Sequence, residues 1–347
     1  MNHKPVQQAL QDHFRIDRRR LEFIARFIIA LLQVCTVNST ILSTALSSNK
    51  LESNTRRIKR FLQYDLPQTY IAQFVLAFVG EEKFVLTMDR TNWKFGKLNI
   101  NFLVVGIAFK GIALPIAWVN LDKQGNSNTK ERKTILENIM NFVPVKRILG
   151  FTADREFIGE AWFKSLLEHG VNPVIRIKRD TTIQHRNKVC PAWVYFNALK
   201  PGAVEELTKA RVMGIRVFVV ATLTPEGELL AVVTTKRPSK ALQIYRERWN
   251  IETLFGAFKT RGFHLEDTHV TDMVRSERLF ALLVITLVWA VRVGEFVSSC
   301  KPLKLKNHGY AAWSLFRRGL DCLKQILFTG RSDGFVLDDV VALLSSS

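Results

Sequence analysis

Phe84-Val85-Leu86-Thr87-Met88-Asp89 is a short, mostly apolar, β-prone run that closes on an acid. It reads as a buried strand with a carboxylate at its end. Asn99–Phe109 and Ile112–Asn120 follow as two long apolar runs separated by Lys110-Gly111, a turn dipeptide. Together they predict a three-stranded antiparallel meander. A polar stretch, Asp122–Lys133, leads into a helix over Thr134–Phe142. Arg147-Ile148-Leu149-Gly150-Phe151-Thr152-Ala153-Asp154 is a further strand that also closes on an acid. Phe157–His169 reads as helix and Val171–Lys178 as another strand.

The resulting order, βββαβαβ, is the ribonuclease H-like arrangement of the α/β class. It sets the ends of the first and fourth strands side by side, so Asp89 and Asp154 are expected to meet at one edge of the sheet. An acid at a strand end also serves as a helix cap or turn former. Asp122, Glu137, Glu156 and Asp180 are competing carboxylates, with Asp122 foremost because it too follows a strand.

The stretch Tyr245-Arg246-Glu247-Arg248-Trp249-Asn250-Ile251-Glu252-Thr253-Leu254-Phe255-Gly256-Ala257-Phe258-Lys259 reads as one helix. At about 100° per residue, Tyr245, Arg248, Glu252 and Lys259 fall at roughly 0°, 300°, 340° and 320°. One face then carries a phenol, a guanidinium, a carboxylate and an ammonium. Trp249, Leu254 and Phe255 point elsewhere, and with Ile251 and Phe258 are expected to hold the helix on a core. Taken alone, the spacing also suits a solvated helix with an intrahelical Arg248–Glu252 pair.

Lys+Arg 50 against Asp+Glu 31 in 347 residues gives a net charge of +19, which favours a polyanionic partner. The basic residues are spread through folded-looking segments, which points to nucleic acid over a membrane surface. Cys35, Cys190, Cys300 and Cys322 form no CxxC, so a zinc finger is excluded and reduced thiols in a cytosolic, nucleoid-associated protein are expected. Leu21–Val34 and Leu279–Phe296 are apolar but short for a bilayer span, and read as core helices with no membrane segment.

Residues 1–80 look helical and basic, with eleven Lys/Arg against five Asp/Glu. Phe14, Leu21, Ile24, Ile28 and Leu31 form an apolar stripe, and Thr36–Ser39 interrupts it. Ser39 or Thr40 is the expected cap of the next helix. Ser53 or Asn54 is the expected cap of a third helix, Thr55–Gln63, which exposes Arg56, Arg57, Lys59 and Arg60; Pro67 opens a fourth. Short helices ending in an arginine-rich one fit a helix-turn-helix-like DNA reader, and equally a solvated bundle. The remaining organisation is a core over 81–178, a β-rich insertion over 179–240, the core again over 241–300, and a C-terminal helical region over 301–347. Ala192–Phe196, Val212–Leu223 and Leu229–Thr235 are the insertion's strand-like runs, with Pro-Glu-Gly at 225–227 as a hairpin turn. Residues 171–240 carry twelve Lys/Arg against five Asp/Glu, so a basic β-ribbon there suits a cover over DNA.

Attack on a phosphodiester needs an activated water or hydroxyl and charge relief on the leaving oxygen. Two Mg²⁺ ions, for which Mn²⁺ can substitute, supply both, and hard cations take carboxylate oxygens. Asp89, Asp154 and Glu252 make a plausible three-acid cage, which the basic protein is expected to keep ionised at low pKa. Tyr245, Arg248 and Lys259 would then grip phosphates flanking the scissile bond.

Tyr245-x2-Arg248-x3-Glu252-x6-Lys259 resembles the YREK signature of bacterial cut-and-paste DDE transposases of the insertion sequence 4 family. Gly150–Phe157 is similar to that family's second-aspartate motif and Asp89-Arg90-Thr91-Asn92-Trp93 to its first. The resemblance covers about residues 35–300. It implies a ribonuclease H-like core with a β-rich insertion, metal-dependent cleavage at transposon ends, and strand transfer into target DNA. The implied partners are duplex terminal inverted repeats, target DNA, and a second protomer paired through C-terminal helices. A catalytically inactive DNA-binding derivative and a structure-selective nuclease are the alternatives. One departure stands out: relatives that cut through a hairpin stack a flipped base on an insertion tryptophan, where this chain has Thr222-Leu223-Thr224. Trp193 is the insertion's one tryptophan and reads more readily as core.

Overall fold

The computed structural model describes residues 2–47, 50–96, 98–121, 123–302 and 313–345. Asp122 and part of the expected C-terminal helical region lie outside them. The chain leads with α1 (Lys4–Gln11), α2 (Arg18–Val34), α3 (Ser39–Leu46), α4 (Leu51–Phe61) and α5 (Gln68–Val79). The stripe of Phe14, Leu21, Ile24, Ile28 and Leu31 is buried, as its helical spacing requires. The caps are not the expected ones. Asn38, one residue ahead of Ser39, accepts from the Thr40 and Ile41 amides. Helix α4 begins at Leu51, ahead of Ser53 and Asn54, because Asn54 is buried inside it. Its amide donates to the Ser43 and Ser47 carbonyls and ties α4 to α3.

The meander forms as its sequence pattern demands, from β1 (Phe84–Phe95), β2 (Leu98–Phe109) and β3 (Ile112–Asn120), all antiparallel. Lys110 and Gly111 both take positive φ, the conformation a tight two-residue hairpin needs. Strand β1 does not stop at Asp89 but stays paired with β2 as far as Phe95. Beyond the acid, Thr91 and Trp93 face in while Asn92 and Lys94 face out, so the period-two pattern continues. Helix α6 (Thr129–Met140) starts five residues before Thr134, because Asn128 and Glu131 close a reciprocal capping box. Then come β4 (Ile148–Ala153), α7 (Glu160–Glu168) and β5 (Pro173–Ile177). Strand β4 runs parallel to β1, with Ala153 opposite Met88, and parallel to β5.

The next segment holds β6 (Thr182–His185), β7 (Lys188–Pro191), α8 (Ala192–Tyr195), β8 (Val204–Val212), β9 (Ile215–Leu223) and β10 (Leu229–Thr234). Ala192–Phe196 is thus a helical turn and not a strand; Pro191, with φ −60°, stands at its N-terminus. Val212–Leu223 is also not one strand, since Met213 and Gly214 at φ 50° and 76° turn the chain between β8 and β9. The Pro-Glu-Gly turn does close β9 onto β10, with Gly227 at φ 83° and its amide on the Thr224 carbonyl. These strands extend the first sheet: β10 lies antiparallel beside β5, and one ten-stranded mixed sheet runs β3-β2-β1-β4-β5-β10-β9-β8-β6-β7. At the β3 edge the Gln68 amide bonds both the amide and the carbonyl of Trp118, occupying backbone groups that an edge strand leaves open.

After the sheet come α9 (Ala241–Arg246), α10 (Trp249–Phe258), α11 (Met273–Cys300) and α12 (Leu315–Thr329). A small hairpin of β11 (Arg331–Ser332) and β12 (Phe335–Val336) leads to α13 (Leu337–Ser345). Helix α11 is long and apolar enough to cross a membrane, but 83% of its most apolar stretch is buried within the protein. It is the central core helix. It crosses α12 closely at Gly294 and Gly319, where a Cβ on Gly319 would collide with the Ala290 carbonyl oxygen. Helix α1 packs on α13, and α2 on α11 and α12, so both ends of the chain share one apolar cluster from Val6 to Leu344.

Candidate active site

The β1–β4 pairing ends at Met88 and Ala153, so Asp89 and Asp154 are the next residues on two neighbouring parallel strands. Alternation puts Thr87 on the face of Asp89 and Thr152 on the face of Asp154. These two threonines are register partners, fully buried, and their hydroxyls have no hydrogen-bond partner among the described residues. The floor beneath the acids is therefore oxygen-rich.

The third acid arrives on α10, delivered by close packing of α9. Gly150 lacks the Cβ that would press on Val174 and Ile244, at 3.0 and 3.1 Å, so α9 can lie on β4. Asn172 holds the preceding link, its side-chain oxygen accepting from the Thr235 and Lys236 amides. Tyr245–Lys259 is not one helix: α9 ends at Arg246 and α10 starts at Trp249. Between them the Arg248 amide donates to the Tyr245 carbonyl and the Ile251 amide to that of Arg248, i→i−3 bonds that tighten the turn. Ile251, Leu254 and Phe258 are buried as expected. Trp249 is not part of that core; it is 61% exposed, at the first position of α10 beside Arg248.

Arg248 is the hub. Its Nη2 lies 2.9 Å from Glu252 Oε1 and its Nη1 3.5 Å from Asp89 Oδ2. Its guanidinium carbon stands 5.0 Å from the Trp249 ring centroid, and its buried Nε has no partner among the described residues. Tyr245 is almost fully buried among Val85, Val174, Val220 and Val232, and burial pushes its phenol up. The charges of Arg248 and Asp154 reach that phenol. Lys259 caps the end of α10, with Nζ 3.1 Å from the Asn92 carbonyl and 2.7 Å from Glu266.

The expected low pKa does not hold for Asp89. Burial pushes its carboxyl up to about 6, the charges of Glu156 and Asp154 add to this, and the Arg90 amide and Arg248 oppose it. Local desolvation and crowded carboxylates outweigh the net charge of the whole chain. Glu156, one of the competing acids, is held by Arg90 through two bonds of 2.8 and 3.1 Å. The same guanidinium bonds the Gly125 carbonyl and Asn126, fixing the loop before α6. Sequence reasoning missed this clamp, although Arg90 adjoins the first acid and Glu156 follows the second by two.

As the side chains stand, no three acids share one point among the described residues. The donor set nonetheless suits a hard divalent cation. Carboxylates from two strands and a helix flank one guanidinium above a floor of buried hydroxyl oxygens. In the front helices, Arg57 and Arg60 line a groove with α2, whereas Arg56 turns to Glu52 at 3.8 Å. Lys59 is exposed. Trp193 is 46% exposed, not core.

Arg248 thus contacts one acid on β1, next to β4, and one acid on α10, while Asp154 reaches it only through its charge. The family model described as Transposase DDE domain matches residues 82–289, and the chain belongs to that family; it is a transposase. A piggyBac transposase synaptic complex with hairpin DNA is similar to it at 10% identity and TM-score 0.46, over 99% of this chain and 81% of that one. No curated protein matches.

Proposed function

We propose that Asp89, Asp154 and Glu252 are the catalytic carboxylates of a ribonuclease H-like core that cuts DNA at transposon ends and joins the freed 3′ end to target DNA. The observation that carries this reading is Arg248, whose one guanidinium contacts an acid of β1 and an acid of α10. The three acids would hold two Mg²⁺ ions, or Mn²⁺ in their place, which supply an activated oxygen nucleophile and neutralise the leaving oxygen.

The chain's own groups position the DNA. Arg248 holds the phosphate beside the scissile bond, and Tyr245 backs it from the apolar pocket. Lys259 exchanges Glu266 for a second phosphate. Trp249, exposed at the mouth of the site, offers an aromatic face to an unstacked base, the role left open at Thr222–Thr224. The front helices hold the terminal repeat, with Arg56, Arg57, Lys59 and Arg60 as contacts. Helices after residue 300 pair two protomers; a monomeric mass on gel filtration, with and without DNA, would remove that pairing.

The test is duplex DNA carrying the element's own end, incubated with Mg²⁺ or Mn²⁺ and either wild-type protein or Glu252→Gln. Cleavage at the end by wild type, lost in the variant while DNA binding persists, is the expected result. Tight binding with no cleavage by wild type under either metal would leave only a DNA-binding protein.

A further inference from the structure

The front helices hold a second feature, apart from the acids. The first turn of α2 and the C-terminal half of α4 face each other across a groove of about 790 Å³. Arg19 and Arg20 line one wall, Arg57 and Arg60 the other. Arg57 and Arg60 are three residues apart, so they stack on one face of α4, about 4.5 Å apart along its axis.

The charge in this groove is not cancelled from within. Its two acids are each engaged by a cation from outside its lining: Glu22 by Arg26 at 2.8 Å and Asp65 by Arg278 at 3.5 Å. Arg19, Arg57 and Arg60 have no ion pair among the described residues. Arg20 is pre-set, its guanidinium carbon 3.6 Å from the centroid of Tyr64 and its Nε 2.9 Å from Asp17. Phe23 and Phe61, stacked at 4.3 Å, make a rigid floor. The amides of Arg19 and Arg20 are already taken by the Asp17 cap, so side chains and not the helix terminus face the groove. Guanidinium groups arranged in two rows, with few neutral hydrogen-bonding side chains among them, suit phosphate oxygens far better than base edges.

We propose that this groove is a cradle for the sugar-phosphate backbone of duplex DNA, positioning it through Arg19, Arg20, Arg57 and Arg60 without reading its bases. The proposal rests on DNA being the partner, as above, and departs from a purely sequence-reading role for α4. It also divides the arginine-rich helix, since Arg56 and Lys59 lie off the groove.

The experiment measures binding of the full chain to an end-bearing duplex and to a scrambled duplex of equal length, over roughly 50 to 200 mM salt. Wild type is compared with Arg57→Gln/Arg60→Gln, Arg19→Gln and, as a control off the groove, Lys164→Gln, and thermal melting checks that each variant is folded. The double variant should lower the salt slope by about 0.9 for each phosphate it no longer neutralises, roughly 2 in total, and equally on both duplexes. Arg19→Gln should lower it by about 1, and Lys164→Gln, on α7 and paired with Glu160 outside the groove, should leave it unchanged. An unchanged slope in the double variant would overturn the cradle. A weakening confined to the end-bearing duplex would overturn it in favour of base reading. Wild type binding neither duplex would overturn the DNA reading itself, cradle included.

Discussion

The two halves of the sheet are built differently. From β3 to β5 most residues are buried and few are exposed, because helices α5 to α7 and α9 to α11 pack on these strands. At the far end, β8 exposes Val204, Glu205 and Glu206 in succession, bulges between Leu207 and Ala210, and places Lys209 at φ 57°. One half is rigid by packing and carries the acids; the other is held largely by its backbone ladder and carries basic side chains. A rigid half suits groups that must be held in one geometry. A looser, basic half suits contact with a long polyanion.

The largest difference is expected when one carboxylate is removed from each half. Asp154→Asn should reduce DNA cleavage on the order of 1000-fold, equivalent to about 4 kcal/mol of barrier, with little change in melting temperature. Glu206→Gln, on the exposed strand, should leave the rate within about twofold, by the small energetic weight of surface changes. Equal losses in a cleavage time course would erase the distinction.

Packing should divide the same way. Phe102 is fully buried between Trp93 and Phe280, with ring centroids 5.8 and 5.0 Å away. Phe102→Ala should cost about 3–5 kcal/mol in denaturant unfolding. Val204, 59% exposed on β8, should tolerate threonine within about 0.5 kcal/mol. A cost for Val204→Thr comparable to that of Phe102→Ala would mean that the outer strands are packed as tightly as the inner ones.

The same contrast explains what can be read from sequence. Runs such as Asn99–Phe109 and Ile112–Asn120 announce strands because burial on both faces leaves few polar residues in them. Strand β8 is illegible because Val-Glu-Glu-Leu-Thr-Lys buries little and reads as loop. The acids stand out from their positions after apolar runs, and Glu252 from its spacing to Arg248. Trp249 departs from its expected place in the core because the tightened turn at Glu247–Arg248 changes the angle at which α10 begins. The Arg90–Glu156 clamp and the Arg20–Tyr64 contact join residues distant in sequence, so no local pattern announces them. Asp89's raised pKa has the same origin, since it depends on burial and on neighbours from other strands.

The most direct measurement is to titrate Mn²⁺ into the protein–DNA complex and count bound ions by electron paramagnetic resonance. Wild type is compared with Asp89→Asn, Asp154→Asn and Glu252→Gln. Mn²⁺ should bind tightly in wild type and far more weakly in each of the three variants while DNA stays bound. Undiminished Mn²⁺ binding in any one of them would contradict a shared site built from β1, β4 and α10.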